Sequence, residues 1–478
     1  MEDDGLYSNY RLTARIELKN VPGAFASVAN LLAQEKANIG AVDIVQATSE
    51  KIVRDITFDA MNEEHGKHII KALNQLEEVK VVSASDRIFL LHLGGKIRVQ
   101  SKVPLVTRNQ LSMAYTPGVA RVSQAIAADP SKVHVLTIKN NSVAIVTDGS
   151  AVLGLGNLGP EAALPVMEGK AMIFKEFAGI DAWPVCLATQ DTDEIIKTIQ
   201  NIAPVFGGIN LEDISSPRCF EIEDRLKKIL DIPVMHDDQH GTAVVVLAAL
   251  QNALRLVGKN INNIKVVVSG MGAAGVACCK ILLNGGVRNL LAANRKGVVL
   301  RCSEDNLREV KVDIFSCIHR DDPIMTLREG LMRADVFIGV SSGNILTGED
   351  IKRMNQDSIV FAVANPDPEV DPKEAVKVCR IFATGRSDFP NQINNALAFP
   401  GIFRGALNVR AKGINEAMKL AAAEAIAGLI PADQLSEEYI IPSIFDKRVV
   451  EIVAHAVEQA AYKTGMARKR SLKEGEIE

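Results

Sequence analysis

The sequence predicts an α/β protein of about three domains, the last of which binds a dinucleotide. The chain of 478 residues is long enough for about three domains with cores of their own. From Arg11 onward, runs with the period of a strand alternate with runs that have the period of an amphipathic helix. A G-x-G-x-x-G segment at Gly270 follows an apolar strand directly and precedes a helix, which is the arrangement of a dinucleotide-binding turn.

The composition and net charge of the chain argue against two kinds of binding partner. With 47% hydrophobic residues, 23% charged residues and a net charge of -4, the chain is typical of a globular protein and lacks the basic excess of a nucleic-acid-binding protein. Polar residues break its apolar runs before the ~20 positions that cross a bilayer. Seven cysteines without a C-x-x-C pair indicate reduced thiols. We therefore expect a cytoplasmic protein without a nucleic-acid or membrane partner.

Residues 11–87 are predicted to form a separate N-terminal module. Strand and helix patterns there follow the order β-α-β-β-α-β, the ferredoxin-like arrangement, after a start at residues 1–10 that is expected to be disordered. The segment NVPGAFASVANLLAQEKANIGAVDI resembles the first half of an ACT regulatory domain. This resemblance implies that a small metabolite, such as an amino acid, binds near Pro22, Gly23 and Gly40. A module that only dimerises through its sheet is the alternative.

Two larger domains are predicted to follow the module. After a connector, the strand-like runs SVAIVTD, AWPVCLA and FGGINLED place an α/β domain over residues 88–240. A long apolar helix, GTAVVVLAALQNALRLVGK, then leads into the dinucleotide-binding domain, residues 241–466. The charged end of the chain, residues 467–478, is expected to be a disordered tail.

The glycine motif at Gly270 predicts the dinucleotide site. A second apolar strand after the motif ends at Asn294, so the arrangement is β-α-β and the helix N-terminus would face a pyrophosphate. Asn294 stands where such folds usually carry an acidic residue, and an amide would not repel the 2'-phosphate of NADP. The predicted cofactor residues are Gly270, Gly272, Ala273, Ala274, Gly275, Asn294 and Arg295.

A second copy of the same spacing, GLGNLG at Gly154, has a different interpretation. A turn at Asp148 and Gly149 precedes it and Pro160 follows it, so no uninterrupted strand leads into its first glycine. These glycines are expected to allow a close backbone turn that brings the next helix and Lys170 to a cleft. Taken alone, a surface lysine would be the simpler interpretation of Lys170.

Two short segments concentrate carboxylates after apolar strands. Glu212 and Asp213 end one strand, and Asp237 and Asp238 follow the next. Carboxylates at neighbouring strand ends repel each other unless a cation lies between them, and all-oxygen ligands suit Mg²⁺ or Mn²⁺. The histidines of MHDDQH leave zinc as a second choice, which the carboxylates and the lack of a nearby cysteine disfavour. Helix caps and surface turns are a further alternative.

Motifs along most of the chain resemble those of the malic enzyme family, in its shorter bacterial and archaeal form. In order, they are LSMAYTPGVA, the stretch from TDGSAVLGLG to AWPVCL, NLEDI, MHDDQHGTA, GMGAAG, FAVANPDPE and ATGRSDFPNQINNALAFPGIFRGAL. The resemblance covers about residues 109–463. It implies oxidative decarboxylation of L-malate to pyruvate and CO₂, with NAD⁺ or NADP⁺ and a divalent metal ion.

The resemblance also implies which residues form the active site. The implied metal ligands are Glu212, Asp213 and Asp238, and the implied catalytic residues are Tyr115, Lys170 and its partner Asp237. The implied substrate-holding residues are Asn365, Asn394 and Asn395, of which Asn365 also contacts the cofactor. One position departs from the large animal-type enzymes, because Ala151 stands where they have an arginine for malate.

The implied chemistry gives two of these residues distinct roles. A lysine kept neutral by burial and cationic neighbours can take the C2 hydroxyl proton of malate, so Lys170 is expected to be the general base. A phenol whose pKa is lowered by a nearby positive charge can protonate C3 of enolpyruvate, so Tyr115 is expected to be the acid. Without the resemblance, a hydrogen-bonded core tyrosine would be the simpler interpretation of Tyr115.

Two other functions stay open at this point. A malolactic enzyme, which converts malate to lactate with bound NAD, resembles the same family closely. A metabolite sensor without catalysis would use only the N-terminal module and the dinucleotide domain, although the complete set of implied catalytic residues argues against it. A homodimer or higher homo-oligomer is expected in each case.

Overall fold

The computed structural model describes residues 10–303, 305–306, 310 and 323–468, and the chain divides into two compact units, Met1–Arg98 and Val99–Glu478. The stretches expected to be disordered, 1–10 and 467–478, lie outside the described residues except for Tyr10, Ala467 and Arg468. The predicted α/β class is confirmed, and the bounds below replace those inferred from periodicity.

The first unit has the predicted β-α-β-β-α-β order. Its strands form one antiparallel sheet in the order β2-β3-β1-β4. Alternate residues of β1 are buried in the core of this unit, because successive side chains of a strand point to opposite faces. The bounds are β1 (Tyr10–Lys19), α1 (Ala24–Gln34), β2 (Asn38–Ala47), β3 (Lys51–Ala60), α2 (Glu63–Leu73), β4 (Val79–Asp86) and α3 (Arg87–His92).

The second unit begins with helices and a parallel sheet. The strand order β6-β5-β7-β8 places the carboxyl ends of these strands along one edge, where the loops that follow them meet. The bounds are α4 (Arg108–Ala114), α5 (Val119–Ala128), α6 (Val133–Leu136), β5 (Ser142–Thr147), α7 (Pro160–Ala178), β6 (Asp181–Cys186), α8 (Thr192–Ile202), β7 (Gly208–Leu211), α9 (Arg218–Ile229) and β8 (Val234–His236).

Helix α10 (Asp237–Val257) follows β8 directly and passes through the expected domain boundary at residues 240 and 241. Asp237 and Asp238 lie in its first turn, where the helix dipole favours negative charge, so the helix starts earlier than its apolar run. This helix is long and apolar enough to cross a membrane, but most of its apolar stretch is buried inside the protein. It packs against α11 and α16 as a core helix.

A second, larger sheet holds the dinucleotide-binding fold. Its order is β11-β10-β9-β12-β13-β14, parallel except for β11, which forms an unpredicted antiparallel pair with β10. The bounds are β9 (Lys265–Ser269), α11 (Ala273–Asn284), β10 (Asn289–Asn294), β11 (Gly297–Cys302), α12 (Leu327–Leu331), β12 (Val336–Gly339), α13 (Gly348–Ile351), β13 (Ile359–Ala362), α14 (Pro372–Ala375), β14 (Ile381–Thr384), α15 (Phe399–Asn408), α16 (Glu416–Gly428) and α17 (Arg448–Lys463).

The turn between β9 and α11 depends on a close backbone contact. Gly270 has a φ of +103°, a conformation that side chains disfavour. A Cβ on Gly275 would lie 1.6 Å from the carbonyl oxygen of Gly270, so only hydrogen fits between the helix and the turn. The predicted strand, glycine turn, helix and strand are therefore confirmed, with Gly275 setting the distance between α11 and the turn.

Replacing Gly275 by alanine should destabilise the second unit. The added methyl group would force α11 away from the turn, and overpacking of this kind costs about 2 kcal/mol or more. Thermal unfolding of the full chain should show a lower melting temperature. Gly428→Ala is the matched control, because an added Cβ has no atom within 4 Å there and should be neutral or stabilising. Equal melting of Gly275→Ala and the wild type would contradict this account of the turn.

Candidate active site

Lys170 lies within a buried charge cluster at the carboxyl edge of the sheet β6-β5-β7-β8. Its Nζ donates a hydrogen bond to Asp237 Oδ2 at 2.6 Å and lies 3.0 Å from Glu212 Oε1. The ammonium group also lies 4.4 Å from the centre of the Phe399 ring, a cation–π contact. Only 8% of Lys170 is exposed. Helix α7 thus brings an ammonium group among carboxylates from two other elements.

The charges around Lys170 differ from the sequence expectation. Burial lowers the pKa of Lys170, but the carboxylates of Asp237, Glu212 and Asp238 outweigh burial and raise that pKa above its ordinary value. The expectation of cationic neighbours that keep this lysine neutral is therefore wrong for the described residues. Lys170 is an ammonium ion at neutral pH in this arrangement, and it must lose a proton before it can act as a base.

Glu212, Asp237 and Asp238 form a group that could hold a metal ion. One carboxylate oxygen from each residue lies within 4.8 Å of those from the other two. Asp213 adjoins this group, since its backbone N–H donates to Asp238 Oδ2 at 2.9 Å. Its buried Oδ2 has no hydrogen-bond partner among the described residues. The structure therefore brings together the carboxylates predicted from the sequence, with Asp237 shared between Lys170 and the metal-capable group.

Burial and mutual repulsion shift the pKa values of these carboxyl groups. Burial, followed by the charge of Asp237, raises the pKa of Glu212 well above its ordinary value. Burial and the charge of Asp238 raise the pKa of Asp213 to about 8, and burial also raises that of Asp238. Burial acts in the same direction on Asp237, but Lys170 outweighs it and lowers the pKa of Asp237. A hard divalent cation would relieve this repulsion, so the donor set fits Mg²⁺ or Mn²⁺.

Glu223 connects α9 to the start of α10. Its Oε1 accepts the backbone N–H of His236 at 3.0 Å, and its Oε2 lies 2.9 Å from His240 Nε2. Lys419 Nζ lies 3.1 Å from His240 Nδ1. Burial lowers the pKa of His240 to about 4, so its neutral ring donates to Glu223 and accepts from Lys419. Protein groups thus occupy both ring nitrogens of His240, so this histidine is not available as a zinc ligand in this arrangement.

One of the predicted asparagines lies beside the carboxylates, and another lies against the first glycine motif. A Cβ on Gly241 would lie 3.0 Å from Asn395 Cβ and 3.5 Å from Asp237 Cβ, so Asn395 adjoins the metal-capable group. Asn365 follows β13, and a Cβ on Gly154 would lie 3.2 Å from its carbonyl oxygen. The first glycine motif is therefore in contact with the loop that carries Asn365.

Tyr115 is exposed to solvent, and the side chain of Asn394 caps a turn. Tyr115 ends α4 with 66% of the residue exposed, and its hydroxyl makes no hydrogen bond with a described residue. It is therefore not packed against the buried Lys170. Asn394 Oδ1 accepts the N–H of Ala396 at 2.9 Å and so caps a turn in the loop that carries Asn395.

The dinucleotide residues lie at the carboxyl edge of the larger sheet. Gly272 precedes the first turn of α11, whose first residues are Ala273, Ala274 and Gly275. The N–H groups of this turn are those that a pyrophosphate binds in such folds. Asn294 ends β10, and its Oδ1 accepts the backbone N–H of Lys296 at 2.8 Å, so its side chain fixes the turn that contains Arg295.

The N-terminal residues expected to bind an effector lie in the first unit. Pro22 precedes Gly23, which caps the start of α1 with a φ of +94°. A Cβ on Gly23 would have no atom within 4 Å, whereas a Cβ on Gly40 in β2 would lie 3.5 Å from the carbonyl oxygen of Thr57. Backbone conformation thus favours glycine at position 23, and position 40 has room for a side chain at ordinary contact distance.

Sequence reasoning missed buried charged residues that hold the loops of the site. Glu369 accepts the N–H of Ser341 at 2.7 Å and that of Ala364 at 3.1 Å, which connects the loops after β12 and β13. Glu223 and Lys419 support the start of α10 in a similar way. Lys419 stands among apolar residues in EAMKLAAAEAIAG, and this isolation was an available signal. Glu223 lies in the charged segment RCFEIEDRL, which gave no such signal.

Comparison with known families covers most of the chain. Residues 7–83 match the ACT domain, residues 94–227 match the N-terminal domain of malic enzyme, and residues 239–462 match the malic enzyme NAD binding domain. The NAD-dependent malic enzyme of Geobacillus stearothermophilus is 55% identical over 464 residues, which cover 97% of each chain. The bifunctional malic/malolactic enzyme of Bacillus subtilis is 53% identical over 375 residues, 78% of this chain and 92% of that enzyme.

Solved structures agree with these sequence matches. The crystal structure of NAD-dependent malic enzyme from Thermotoga maritima has a TM-score of 0.72 and 49% identity over 78% of this chain and 99% of that chain. The crystal structure of Entamoeba histolytica malic enzyme has a TM-score of 0.75 and 36% identity over 81% of this chain and 82% of the other. The chain therefore belongs to the malic enzyme family and carries an ACT domain before its two malic enzyme domains.

Proposed function

We propose that this protein oxidises and decarboxylates L-malate to pyruvate and CO₂, with NAD⁺ or NADP⁺ as the oxidant and Mg²⁺ or Mn²⁺ as the metal ion. The observation that carries the proposal is the buried contact of Lys170 with Asp237 and Glu212, which joins a proton-transfer group to oxygen ligands for a cation. Relatives named as NAD-dependent and NADP-dependent malic enzymes support the same reaction.

The metal would be held by Glu212, Asp213 and Asp238, with Asp237 beside them. A divalent cation held there would supply positive charge to polarise the C2 oxygen of the substrate and to offset the carboxylate field that keeps Lys170 protonated. Buried Oδ atoms of Asp213 and Asp237 without hydrogen-bond partners among the described residues support this donor set. The glycine turn at Gly270 would hold the dinucleotide, which would supply the hydride acceptor for C2.

Lys170 takes the proton of the C2 hydroxyl in this mechanism. Asp237 Oδ2, 2.6 Å from Nζ, orients the amine and stabilises the ammonium ion that forms. The Phe399 ring covers the same nitrogen and excludes water from one side. Asn395 and Asn365 are proposed to bind the substrate with their amides. Tyr115, whose hydroxyl is exposed and uncommitted among the described residues, is proposed to give the proton to C3 of enolpyruvate.

Regulation by a small metabolite, such as an amino acid, is proposed for the ACT domain at Pro22, Gly23 and Gly40. A homodimer or higher oligomer is also proposed, because large apolar side chains are exposed early in the second unit and would be covered by association. They are Val99, Val103, Leu105, Val106, Leu111, Met113, Val119, Val122, Val135 and Leu136. The lack of a C-x-x-C pair among the seven cysteines, which indicates reduced thiols, supports a cytoplasmic location.

Lys170→Ala should abolish malate oxidation and leave dinucleotide binding intact. Loss of a general base costs about 10²- to 10⁴-fold in turnover, and α7 is separate from the glycine turn at Gly270. Malate-dependent NAD(P)H formation measures the first effect and titration with NADH the second. Lys175→Ala is the matched control, because Lys175 lies on the same helix in an exposed pair with Asp181. Wild-type turnover in Lys170→Ala would exclude this residue as the base.

The product of the same assay separates the two members of this family that the sequence left open. Pyruvate with net NAD(P)H identifies the malic enzyme reaction. Lactate without net reduced cofactor identifies the malolactic reaction. Wild-type enzyme that gives neither product with malate would overturn the proposed function.

Asp238→Asn should weaken metal binding. Removal of one anionic ligand from the carboxylate group is expected to raise the Kd for Mn²⁺ at least about 10-fold. Electron paramagnetic resonance of free Mn²⁺ measures this affinity without turnover. Asp193→Asn provides a control, since Asp193 is exposed and pairs with Arg225 on the surface. If Asp238→Asn bound Mn²⁺ like the wild type, Asp238 would not be a ligand.

Removal of residues 1–98 should keep malate turnover and remove the response to an effector. Every residue assigned to the reaction lies in the second unit, so its chemistry does not need the first. The full chain and the shortened chain should be titrated with each of the twenty amino acids while malate saturation is measured. Gly23→Ile, which strains a φ of +94°, should lose the same response. An effect that survives the truncation would place the effector site in the second unit.

A further inference from the structure

Ala151 leaves the active site without the arginine that the large animal-type enzymes use for malate. The backbone N–H of Ala151 donates to the carbonyl oxygen of Asp213 at 3.0 Å, so Ala151 lies against the loop of a proposed metal ligand. A methyl group cannot pair with a carboxylate. Lys170 cannot fill this role either, because Asp237 and Glu212 already surround its ammonium group.

We propose that Arg386 supplies the missing positive charge and binds a carboxylate of the substrate, an inference that rests on the proposed function. Arg386 follows Gly385 in the loop after β14. A Cβ on Gly385 would lie 3.1 Å from Asn365 Nδ2 and 3.0 Å from the carbonyl oxygen of Val363. The loop of Arg386 is therefore packed against Asn365, the residue proposed to bind substrate, and Asn365 in turn contacts Gly154 of the first glycine motif.

The guanidinium of Arg386 is fixed on one edge and open on another. Its Nε donates to Asp388 Oδ1 at 2.8 Å and its Nη2 donates to Asp388 Oδ2 at 2.6 Å. Its Nη1 makes no hydrogen bond with any residue that the structure describes. Because a guanidinium has a second edge formed by Nη1 and Nη2, a substrate carboxylate can bind there while Asp388 holds the plane.

The exposure and charge of Arg386 suit a ligand that comes from solvent. Its side chain is 37% exposed, and it lies 5.3 Å from the centre of the Phe389 ring, which limits its orientations. The hydrogen bonds that Arg386 donates to Asp388 raise the pKa of Arg386, so the charge is present throughout the working pH range. Asp367 and Asp371, in the loop after β13, raise the same pKa through their negative charges, without direct contact with Arg386.

The position of β14 in the sheet assigns Arg386 to the substrate rather than to the adenosine end of the cofactor. Asn294 ends β10, and the strand order from β10 to β14 is β10-β9-β12-β13-β14. With strands about 4.8 Å apart, these four intervals separate the two strand ends by roughly 19 Å. A 2'-phosphate beside Asn294 is therefore out of reach of Arg386.

Arg218, at the start of α9, is the other candidate cation. Its Nη2 lies 2.9 Å from Asp148 Oδ2 and donates to Ser215 Oγ at 3.1 Å, while its Nη1 donates to the carbonyl oxygen of Gln190. These contacts connect the loops after β5, β6 and β7. Arg218 is committed to holding those loops together, which leaves Arg386 as the better substrate-binding group.

The test compares Arg386→Gln, Arg386→Lys and Arg218→Gln. We expect Arg386→Gln to raise the KM for malate at least about 30-fold, with kcat changed less than about 3-fold and the Kd for NADH unchanged. Arg386→Lys should lie between Arg386→Gln and the wild type. Arg448→Gln is the matched control, because Arg448 pairs with Asp446 through the same two-residue spacing at the start of α17.

Equilibrium binding of malate, measured with NADH and Mn²⁺ present, keeps this test independent of turnover. Wild-type enzyme that binds malate but does not oxidise it would refute the proposed function. The role of Arg386 would still be decided in that case, by comparing the affinity of Arg386→Gln for malate with that of the wild type. An unchanged malate affinity in Arg386→Gln overturns the inference, and so does a wild type that binds no malate. Equal weakening of malate and NADH would assign Arg386 to the cofactor, and an increase in KM in Arg218→Gln alone would assign the role to Arg218.

Discussion

The repulsion among buried carboxylates is the constraint on which the rest of this active site depends. Glu212, Asp213, Asp237 and Asp238 converge because parallel strands end at one edge of a sheet and the next helix starts there with two acidic residues. Burial makes their charges costly, and Lys170 offsets only part of this cost. The site is therefore built to attract cations, and the same surplus of negative charge keeps Lys170 protonated in this arrangement.

A second group of buried charges gives the first its geometry. Glu223, His240 and Lys419 come from α9, α10 and α16, and their contacts hold the first turn of α10 against two neighbouring helices. Burial opposes the ionisation of Glu223, but the charge of Lys227 and the hydrogen bond from His240 help to lower the pKa of Glu223 well below its ordinary value. Supporting contacts of this kind orient metal ligands in proteins generally. The precision of the carboxylate group thus depends on residues that would touch neither metal nor substrate.

Much of the fold could be predicted from the periodicity of the sequence. The geometry of the site could not, because its residues come together only in the folded chain. The β-α-β-β-α-β module and the strand, turn and helix at Gly270 were predictable because each signal is local. The start of α10 was not, since its acidic first turn looks like a loop after a strand. The charge state of Lys170 could not be predicted either, because it depends on how closely Glu212 and Asp238, as well as the implied partner Asp237, approach the ammonium group in the fold. Glu369 was overlooked because its partner Ser341 lies on another loop, and Arg386 was overlooked because only the folded chain brings its loop against Asn365.

The direct passage from β8 into α10 has a consequence for how this enzyme can be divided. The family matches end at residue 227 and resume at residue 239, so β8, Asp237 and Asp238 fall in the gap between the two recognised domains. Neither recognised domain alone therefore contains the complete carboxylate centre. A chimera that exchanges the dinucleotide-binding half between relatives must transfer this short junction with its matching partners, or it will join two folded halves around an incomplete catalytic centre.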